Sequence, residues 1–337
     1  MNNALYFPYI SIPKSSWLIQ TLLYWDKIGS IIPREFVIDP SKLDVHMQEL
    51  IREGLVEQII PAHFIWEIGE FENRFVQYIE KTNLKRKKYL SLNNKIKENF
   101  IPIHLEKLGD LGRELEKMGL AIKSKGMWYE VESRTAYSFM TYLAVELGKV
   151  IPFRPVTDKY LGLNIFGGGS VNSYPLAPEK LRAKFLENIL PVPSHIESVY
   201  DILRFKERYR DDLINFRIAI ETFIANCTGL SDEQLEQHVN LFIEDAKHRV
   251  QYISTLMEAN KMGRINFATL CAVGGFTESG LTLAKGVASN DLTDITIGGI
   301  GITTSFLTLL AQGKGTQNIR EPFAYAVYLR KNKFGNL

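Results

Sequence analysis

The stretch INFATLCAVGGFTESGLTLAKGVASNDLTDITIGGIGITTSFLTLLA, residues 265–311, contains few charged side chains, and none between Ile295 and Ala311. Small residues alternate in it with isoleucine, leucine and phenylalanine. Because a segment this apolar is driven out of water, we expect it to be buried in protein or in lipid. The pattern predicts two apolar helices, one from Ile265 to about Lys285 and one from Leu292 to Gln312, with a turn at Asn290–Asp291.

This apolar hairpin, residues 265–312, is rich in glycine. Glycines permit close approach of two helices, but each lowers helix propensity by about 1 kcal/mol relative to alanine. Strong tertiary packing or lipid must offset that cost. Since the uncharged run is shorter than the ~20 residues that a membrane span needs, we expect the hairpin to be sheathed by the protein's own helices. Contact with a membrane would then require activation that releases the hairpin.

Two long amphipathic helices are predicted within residues 196–262 to form that sheath. In the first helix, apolar residues step by threes and fours from Ile202 to Cys227, and Gly229 ends it. Ser231–Gln234 is a capping box that begins the second helix. Each helix would run for roughly 30 residues, or about 45 Å. The short connection between them predicts an antiparallel pair.

Short strands and helices alternate in the first half of the chain. Residues 4–10 are predicted as a strand that Pro8 interrupts, which suits either an edge strand or a strand start. A helix then runs from Trp17 to Ile28 and ends at Gly29. A second helix, Pro40–Glu53 with Asp39 as its cap, leads into a strand at residues 55–60. A helix at residues 105–118, a strand pair around a turn at Lys123–Gly126 and a helix at residues 134–149 follow.

These elements predict an α+β fold that is mainly α. A mixed α/β domain, residues 1–155, precedes a helical domain, residues 156–337, and the Pro- and Gly-rich residues 156–180 connect them as a linker-like loop. ELIREGLV (49–56) and ELEKMGLA (114–121) are similar. They represent either an internal duplication or two helices that end in the same way, and we favour the second. A winged helix is also compatible with this order, although the helix of residues 40–53 offers few donors for reading DNA.

Composition and charge narrow the classes of function. The 337 residues are 45% hydrophobic and 23% charged, and the net charge of +2 provides no global field that would recruit nucleic acid or an anionic membrane. The two cysteines, Cys227 and Cys271, lie far apart in apolar surroundings, which indicates buried free thiols. The N-terminus lacks the basic and then apolar order of a secretory signal. We therefore expect a cytoplasmic protein.

Two stretches are candidates for binding anions or nucleic acid. The basic run within residues 81–97 includes Lys85, Arg86, Lys87 and Lys88, which could follow a phosphate backbone. Lysines at a helix C-terminus are favourable without any ligand, so we favour a solvated helix end and loop as the explanation of the run. The backbone N–H groups of Gly167, Gly168 and Gly169 could bind an anion, or mark an enzyme site, but the Lys-Ser/Thr ending of a P-loop is missing. We favour a flexible loop without a ligand.

Motifs for metals, cofactors and catalysis are missing from the sequence. Asp245 and Glu244 stand at helical spacing from His248, but no second such pair exists to complete a metal site. There is no His-Glu-x-x-His, Cys-x-x-Cys or Gly-x-Ser-x-Gly. We expect no metal and no cofactor, and the catalytic residues, if there are any, stay unknown.

The most distinctive text is YFPYI (6–10), Trp17 and LLYWDKIGSIIP (22–33), together with ILPVPSHIES (189–198) and RFKERYRDDLINFR (204–217). These patterns resemble an uncharacterised bacterial protein family of unknown function that is associated with phage-defence neighbourhoods. The resemblance implies a non-enzymatic interaction or effector component of antiviral defence, with a protein partner or self-association. It carries no catalytic residues. The alternative is a protein that binds or processes nucleic acid through residues 81–97.

Overall fold

The computed structural model describes residues 2–90, 100–159, 177–192, 199–227, 229–259 and 321–331. The prediction of an α+β fold that is mainly α is confirmed. The chain divides into two units, residues 1–180 and residues 181–337. All strands of the described residues lie in the first unit. The predicted apolar hairpin, residues 265–312, lies outside the described residues.

Four parallel strands form the centre of the first unit. They are β1 (Asn3–Tyr6), β2 (Ile28–Ile31), β3 (Val56–Ile59) and β7 (Phe153–Val156), in the order β3-β2-β1-β7. Helices α1 (Ser16–Tyr24), α2 (Arg34–Ile38) and α3 (Val45–Arg52) connect the first three strands. The strand predicted at residues 4–10 is therefore present but shorter, and its edge position is wrong. β1 is a central strand that is buried along its whole length, and Pro8 lies beyond its end.

Gly29 lies inside β2, so the predicted helix ending there is wrong. The helix α1 stops at Tyr24, and Ile28 to Ile31 pair with β1 and β3. A Cβ atom at Gly29 would lie 2.9 Å from the ring of Phe153 and 3.0 Å from Ile59. Gly29 thus lets three strands pack their side chains closely, a role that glycine in a strand often has.

A three-stranded antiparallel sheet completes the first unit. β4 (Phe100–His104), β5 (Ala121–Lys123) and β6 (Trp128–Glu132) lie in the order β4-β6-β5. The accompanying helices are α4 (Ile65–Ile68), α5 (Phe71–Leu90), α6 (Leu105–Leu108), α7 (Leu111–Lys117) and α8 (Ser133–Val150). The single helix predicted for residues 105–118 is wrong. Gly109, with φ of +57°, separates α6 from α7.

Two helix ends of this unit share one hydrogen-bond pattern. Gly54 N donates to Ile51 O and Leu55 N donates to Leu50 O, both at 3.0 Å. The same pair of bonds follows α7, at Gly119 and Leu120. Both glycines have positive φ, as the Schellman motif requires. The strand that follows α3, β3, pairs in parallel with β2, whereas the strand that follows α7, β5, pairs antiparallel with β6. This difference favours two ordinary helix endings over a duplication.

The predicted helix Pro40–Glu53 begins later than expected. Residues 40–42 form a single 3₁₀ turn with Asp39 as its cap, and the chain is extended at Leu43. The helix α3 starts after Asp44, whose Oδ1 accepts a hydrogen bond from Met47 N at 2.8 Å. A second N-cap residue five positions downstream therefore sets the helix start.

The described part of the second unit is helical. It contains the end of α9 (Ala177–Ile189) and the helices α10 (Val199–Arg208), α11 (Arg210–Asn226), α12 (Asp232–Ala259) and α13 (Ala324–Lys331). The predicted first helix of the long pair is wrong as one continuous element, because Tyr209 leaves the helical conformation at φ −115° and ψ 30°. Its ring stacks on Tyr328 of α13 at 4.7 Å. The second helix and its capping box are confirmed.

Aromatic side chains pack the core of the second unit. Phe223 of α11 stacks on Phe242 of α12 with ring centres 4.1 Å apart. The residues of α13 from Ala324 to Leu329 are all buried, so this short helix covers part of the apolar face that the sequence assigned to residues 265–312. Within the described ranges, no helix is long and apolar enough to cross a membrane.

Candidate functional site

The predicted anion-binding stretches are placed only in part. Lys85, Arg86, Lys87 and Lys88 lie in the last turns of α5. Their side chains lie outside the described part of the chain, and so do Gly167, Gly168 and Gly169. Both anion-binding predictions stay predictions.

The carboxyl ends of the four parallel strands form one edge of the first unit. The chain passes outward from β1 to β2 and β3, and later returns to the other side of β1 as β7. The segments that follow β1 and β7 therefore lie next to each other where the strand order reverses. In open parallel sheets, ligands bind outside the carboxyl ends of the strands at such a reversal. A ligand-binding site is therefore expected at this edge of the sheet.

Tyr6, Asp158 and Lys159 join the ends of β1 and β7. The hydroxyl of Tyr6 donates to Asp158 Oδ1 at 3.0 Å, and Lys159 Nζ lies 3.0 Å from Asp158 Oδ2. Tyr6 is fully buried and Asp158 nearly so. Burial, with the charge of Asp158 as a smaller cause, raises the pKa of Tyr6 far above its ordinary value. The Tyr6 hydroxyl is therefore a permanent donor that fixes one carboxylate oxygen.

Tyr9 and Tyr137 form the exposed side of this group. Their hydroxyl oxygens are 2.6 Å apart. Burial, followed by the hydrogen bond to Tyr137, raises the pKa of Tyr9. Lys159 Nζ lies 6.0 Å from the centre of the Tyr9 ring. Tyr9 is 36% exposed and the Lys159 side chain 43% exposed, so both can meet a ligand from solvent. We call Tyr6, Tyr9, Tyr137, Asp158 and Lys159 the edge site.

The backbone that follows β1 is held by hydrogen bonds to the neighbouring strands. Phe7 N donates to Val156 O at 3.2 Å, and the hydroxyl of Ser30 donates to Ile10 O at 2.6 Å. The residues after β1 read FPYISIPK and contain no glycine. Without a glycine-rich turn, the backbone cannot approach a pyrophosphate as it does in dinucleotide-binding folds. The edge site therefore offers side chains, not backbone N–H groups, to a ligand.

A second polar group lies just beyond the end of β2, where the residues that follow β2 meet the end of β4 and α6. Glu106 Oε2 accepts a hydrogen bond from Arg34 N at 2.6 Å. His104 accepts one from Glu106 N at its Nδ1, and its Nε2 lies 3.4 Å from Glu35 Oε1. Burial lowers the pKa of His104. The network therefore assigns a neutral ring with its proton on Nε2. His104 acts here as the N-cap of α6.

Metal binding finds no support among the residues that the structure describes, because they contain no group of three or more His, Cys, Asp or Glu side chains that could hold an ion. A single cation also fits poorly at the edge site, where Asp158 is already paired with Tyr6 and Lys159.

Sequence reasoning missed every residue of the edge site. Tyr6 and Tyr9 were in a segment predicted as a strand, Tyr137 in a helix, and Asp158 and Lys159 in the connecting loop. Short apolar runs, ALYF before Pro8 and IGSII before Pro33, are the one sequence signal of a buried parallel sheet. A search for polar residues directly after such runs would have found Tyr9 and Arg34.

Comparisons with known proteins add no relative from which a function could be carried over. No protein-family model, no curated protein and no solved structure matches the chain.

Proposed function

We propose that the protein binds a small hydroxylated molecule, such as a nucleoside or a sugar, at the edge site. The observation that carries this proposal is the strand order β3-β2-β1-β7, with Tyr6, Tyr9, Asp158 and Lys159 at the carboxyl ends of the two strands where the order reverses. Paired hydroxyls, a carboxylate and an ammonium offer donors and acceptors of both signs, which suits a ligand that is rich in hydroxyl groups.

Burial divides the edge site into a support and a binding face. Tyr6 and Asp158 are buried, so they orient the neighbouring groups, whereas Tyr9 and Lys159 are partly exposed. Removing a single hydrogen bond to a ligand costs about 1.4 kcal/mol, or about tenfold in Kd. Tyr9→Phe and Lys159→Ala should therefore weaken binding and leave the buried pair in place.

The test is a thermal-shift screen of the full chain with nucleosides, nucleotides and free sugars, followed by calorimetry on whatever binds. We expect at least one class to stabilise the wild type, and Tyr9→Phe and Lys159→Ala each to raise its Kd about tenfold. Lys27→Ala is the matched control. Lys27 is also half exposed and paired with an acid, Glu57 at 3.7 Å, but it lies beside the amino end of β2. If no class binds, or if binding survives both edge-site substitutions, the proposal is wrong.

The defence role that the resemblance implies is a separate proposal, supported by sequence patterns alone. Its test is phage infection of cells that carry the wild type, Lys159→Ala or Lys27→Ala. Protection by the wild type and by Lys27→Ala, with loss of protection in Lys159→Ala, would connect the edge site to defence. Equal plaque numbers with and without the wild-type protein would refute a defence role against the phages tested.

Nucleic-acid binding is the second candidate function. Residues 71–132 have the element order of a winged helix, which is helix, strand, two helices, strand, turn and strand. Their sheet order, β4-β6-β5, is also that of a winged helix. Lys123 and Lys125 are exposed around the turn between β5 and β6. Lys117 of α7 is already paired with Glu114 at 2.7 Å, which makes α7 a weak reader of bases.

Charge reversal tests this candidate. Lys123→Glu with Lys125→Glu should weaken binding to duplex DNA and reduce its salt dependence, if the turn contacts phosphates. Reversal of Lys85 to Lys88 should do so if residues 81–97 form the interface. The absence of salt-dependent binding by the wild type would reject both versions.

A further inference from the structure

Lys107 is a buried lysine at the carboxyl edge of the parallel sheet. It lies on α6, which packs against the turn Pro61–His63 that follows β3 and against β4. The neighbouring residue Glu106 contacts Arg34, just beyond β2. Only 4% of Lys107 is exposed. A lysine is almost never buried to this extent without a partner.

The nearby acids are engaged elsewhere. Glu35 lies 2.9 Å from Lys42 and 3.4 Å from His104, and Glu106 accepts from Arg34 N. Within the part of the chain that the structure describes, no hydrogen bond or ion pair reaches the Lys107 amine. An unpaired ammonium is costly in such a place, so burial lowers the pKa of Lys107 to about 7.

The surroundings favour an uncharged reaction partner. An anion site would need several converging donors or cations, and the groups around α6 include the carboxylates of Glu35 and Glu106 and a neutral His104. A mostly buried amine that lacks a carboxylate partner is a better nucleophile at neutral pH than an ordinary lysine. The electrophile that such an amine selects is a carbonyl group.

We infer that Lys107 is a reactive amine that forms an imine with the aldehyde or ketone group of a small molecule. The Lys107 Nζ lone pair attacks the carbonyl carbon, and the carbonyl π electrons move to oxygen. The amine loses its protons as the oxygen gains them, and that oxygen leaves as water. One C=N bond replaces one C=O bond, so the step needs no oxidant or reductant. This inference goes beyond the edge site, which lies at the other end of the strand order.

Site-resolved labelling tests this inference on the full wild-type chain. The probe is formaldehyde with cyanoborohydride, which reduces each imine to a stable methylated amine, and peptide mass spectrometry gives the rate at every lysine. Lys117 on the adjacent helix α7 is the matched control, with 71% of its side chain exposed. At pH 7 about half of an amine with a pKa near 7 is neutral, against less than about 0.1% of an ordinary lysine. We expect Lys107 to react at least about tenfold faster than Lys117. The ratio of the rates should stay below the ratio of the neutral fractions, because burial slows the access of the reagents to Lys107.

The pH dependence of the labelling rates is a second test. From pH 7 to pH 9 the neutral fraction of an amine with a pKa near 7 can only about double, whereas that of an ordinary lysine rises about a hundredfold, so the preference for Lys107 should fall. The inference is overturned if Lys107 is modified more slowly than Lys117 at pH 7 and reacts only when urea unfolds the chain. Since the labelling needs no ligand at the edge site, its failure and the failure of the proposed function are separate results.

Discussion

At the residue scale, Gly29 allows the central strands to pack. A Cβ atom there would lie 2.9 Å from two ring carbons of Phe153, and that ring is itself buried. We expect Gly29→Ala to lower the free energy of unfolding by about 2 kcal/mol, because the added methyl overpacks a rigid core. Urea unfolding followed by fluorescence measures the loss.

The ring of Phe153 supplies the control for that prediction. In the Gly29→Ala background, Phe153→Leu removes the ring atoms that the new methyl meets, so the two losses should not add. Alanine otherwise favours a folded strand over glycine, because it restricts the unfolded chain. A Gly29→Ala protein as stable as the wild type would therefore mean that the strands can separate at little cost.

At the element scale, the start of α12 depends on a reciprocal pair of hydrogen bonds. Gln234 N donates to Ser231 Oγ at 3.3 Å, and Ser231 N donates to Gln234 Oε1 at 3.1 Å. We expect Ser231→Ala to lower stability by about 1 kcal/mol, since a helix N–H loses its acceptor. Ser231→Asp, which keeps an acceptor, is the matched control. Thermal unfolding followed by circular dichroism should place Ser231→Asp near the wild type, and equal losses in the two variants would contradict a capping role.

Elements with local signals could be predicted from the sequence. The capping box of α12, the glycine after α3 and the turn between β5 and β6 each depend on residues within one turn of one another. Breaks inside apolar stripes could not be predicted in the same way. Tyr209 fits the stripe of a continuous helix, and it leaves the helical conformation where its ring stacks on Tyr328, more than a hundred residues away.

At the scale of the whole molecule, long-range pairing decides the fold and the candidate site. β1 pairs with β7 from Asn3–Phe153 to Tyr6–Val156, and each strand has four residues. Segments this short contain too little pattern to reveal a partner at such a distance. Asp158 follows the partner strand directly, so reading residues 156–180 as a connection concealed the acceptor of the Tyr6 hydroxyl.

The stability of the first unit should depend on pH through Lys107. Burial sets the pKa of Lys107 at about 7 in the folded chain, whereas an unfolded lysine titrates near 10.4. Between these values the unfolded chain binds more protons than the folded chain, so the free energy of unfolding rises with pH. We expect a rise of about 2 kcal/mol from pH 7 to pH 9. His104, whose pKa is lowered from 6.5 by burial, loses its proton mostly below this range and adds little to the rise.

Tryptophan fluorescence isolates this unit, because all four tryptophans, Trp17, Trp25, Trp66 and Trp128, lie within residues 1–180. Lys107→Met keeps the length of the buried stem and removes the amine. Urea unfolding of this variant should show a higher midpoint than the wild type at pH 7, because the cost of desolvating the ammonium is gone. The difference should shrink towards pH 9, where the folded wild type carries a neutral amine and the unfolded chain begins to lose its proton. A pH slope that is the same in Lys107→Met and in the wild type would show that Lys107 is not the group that titrates.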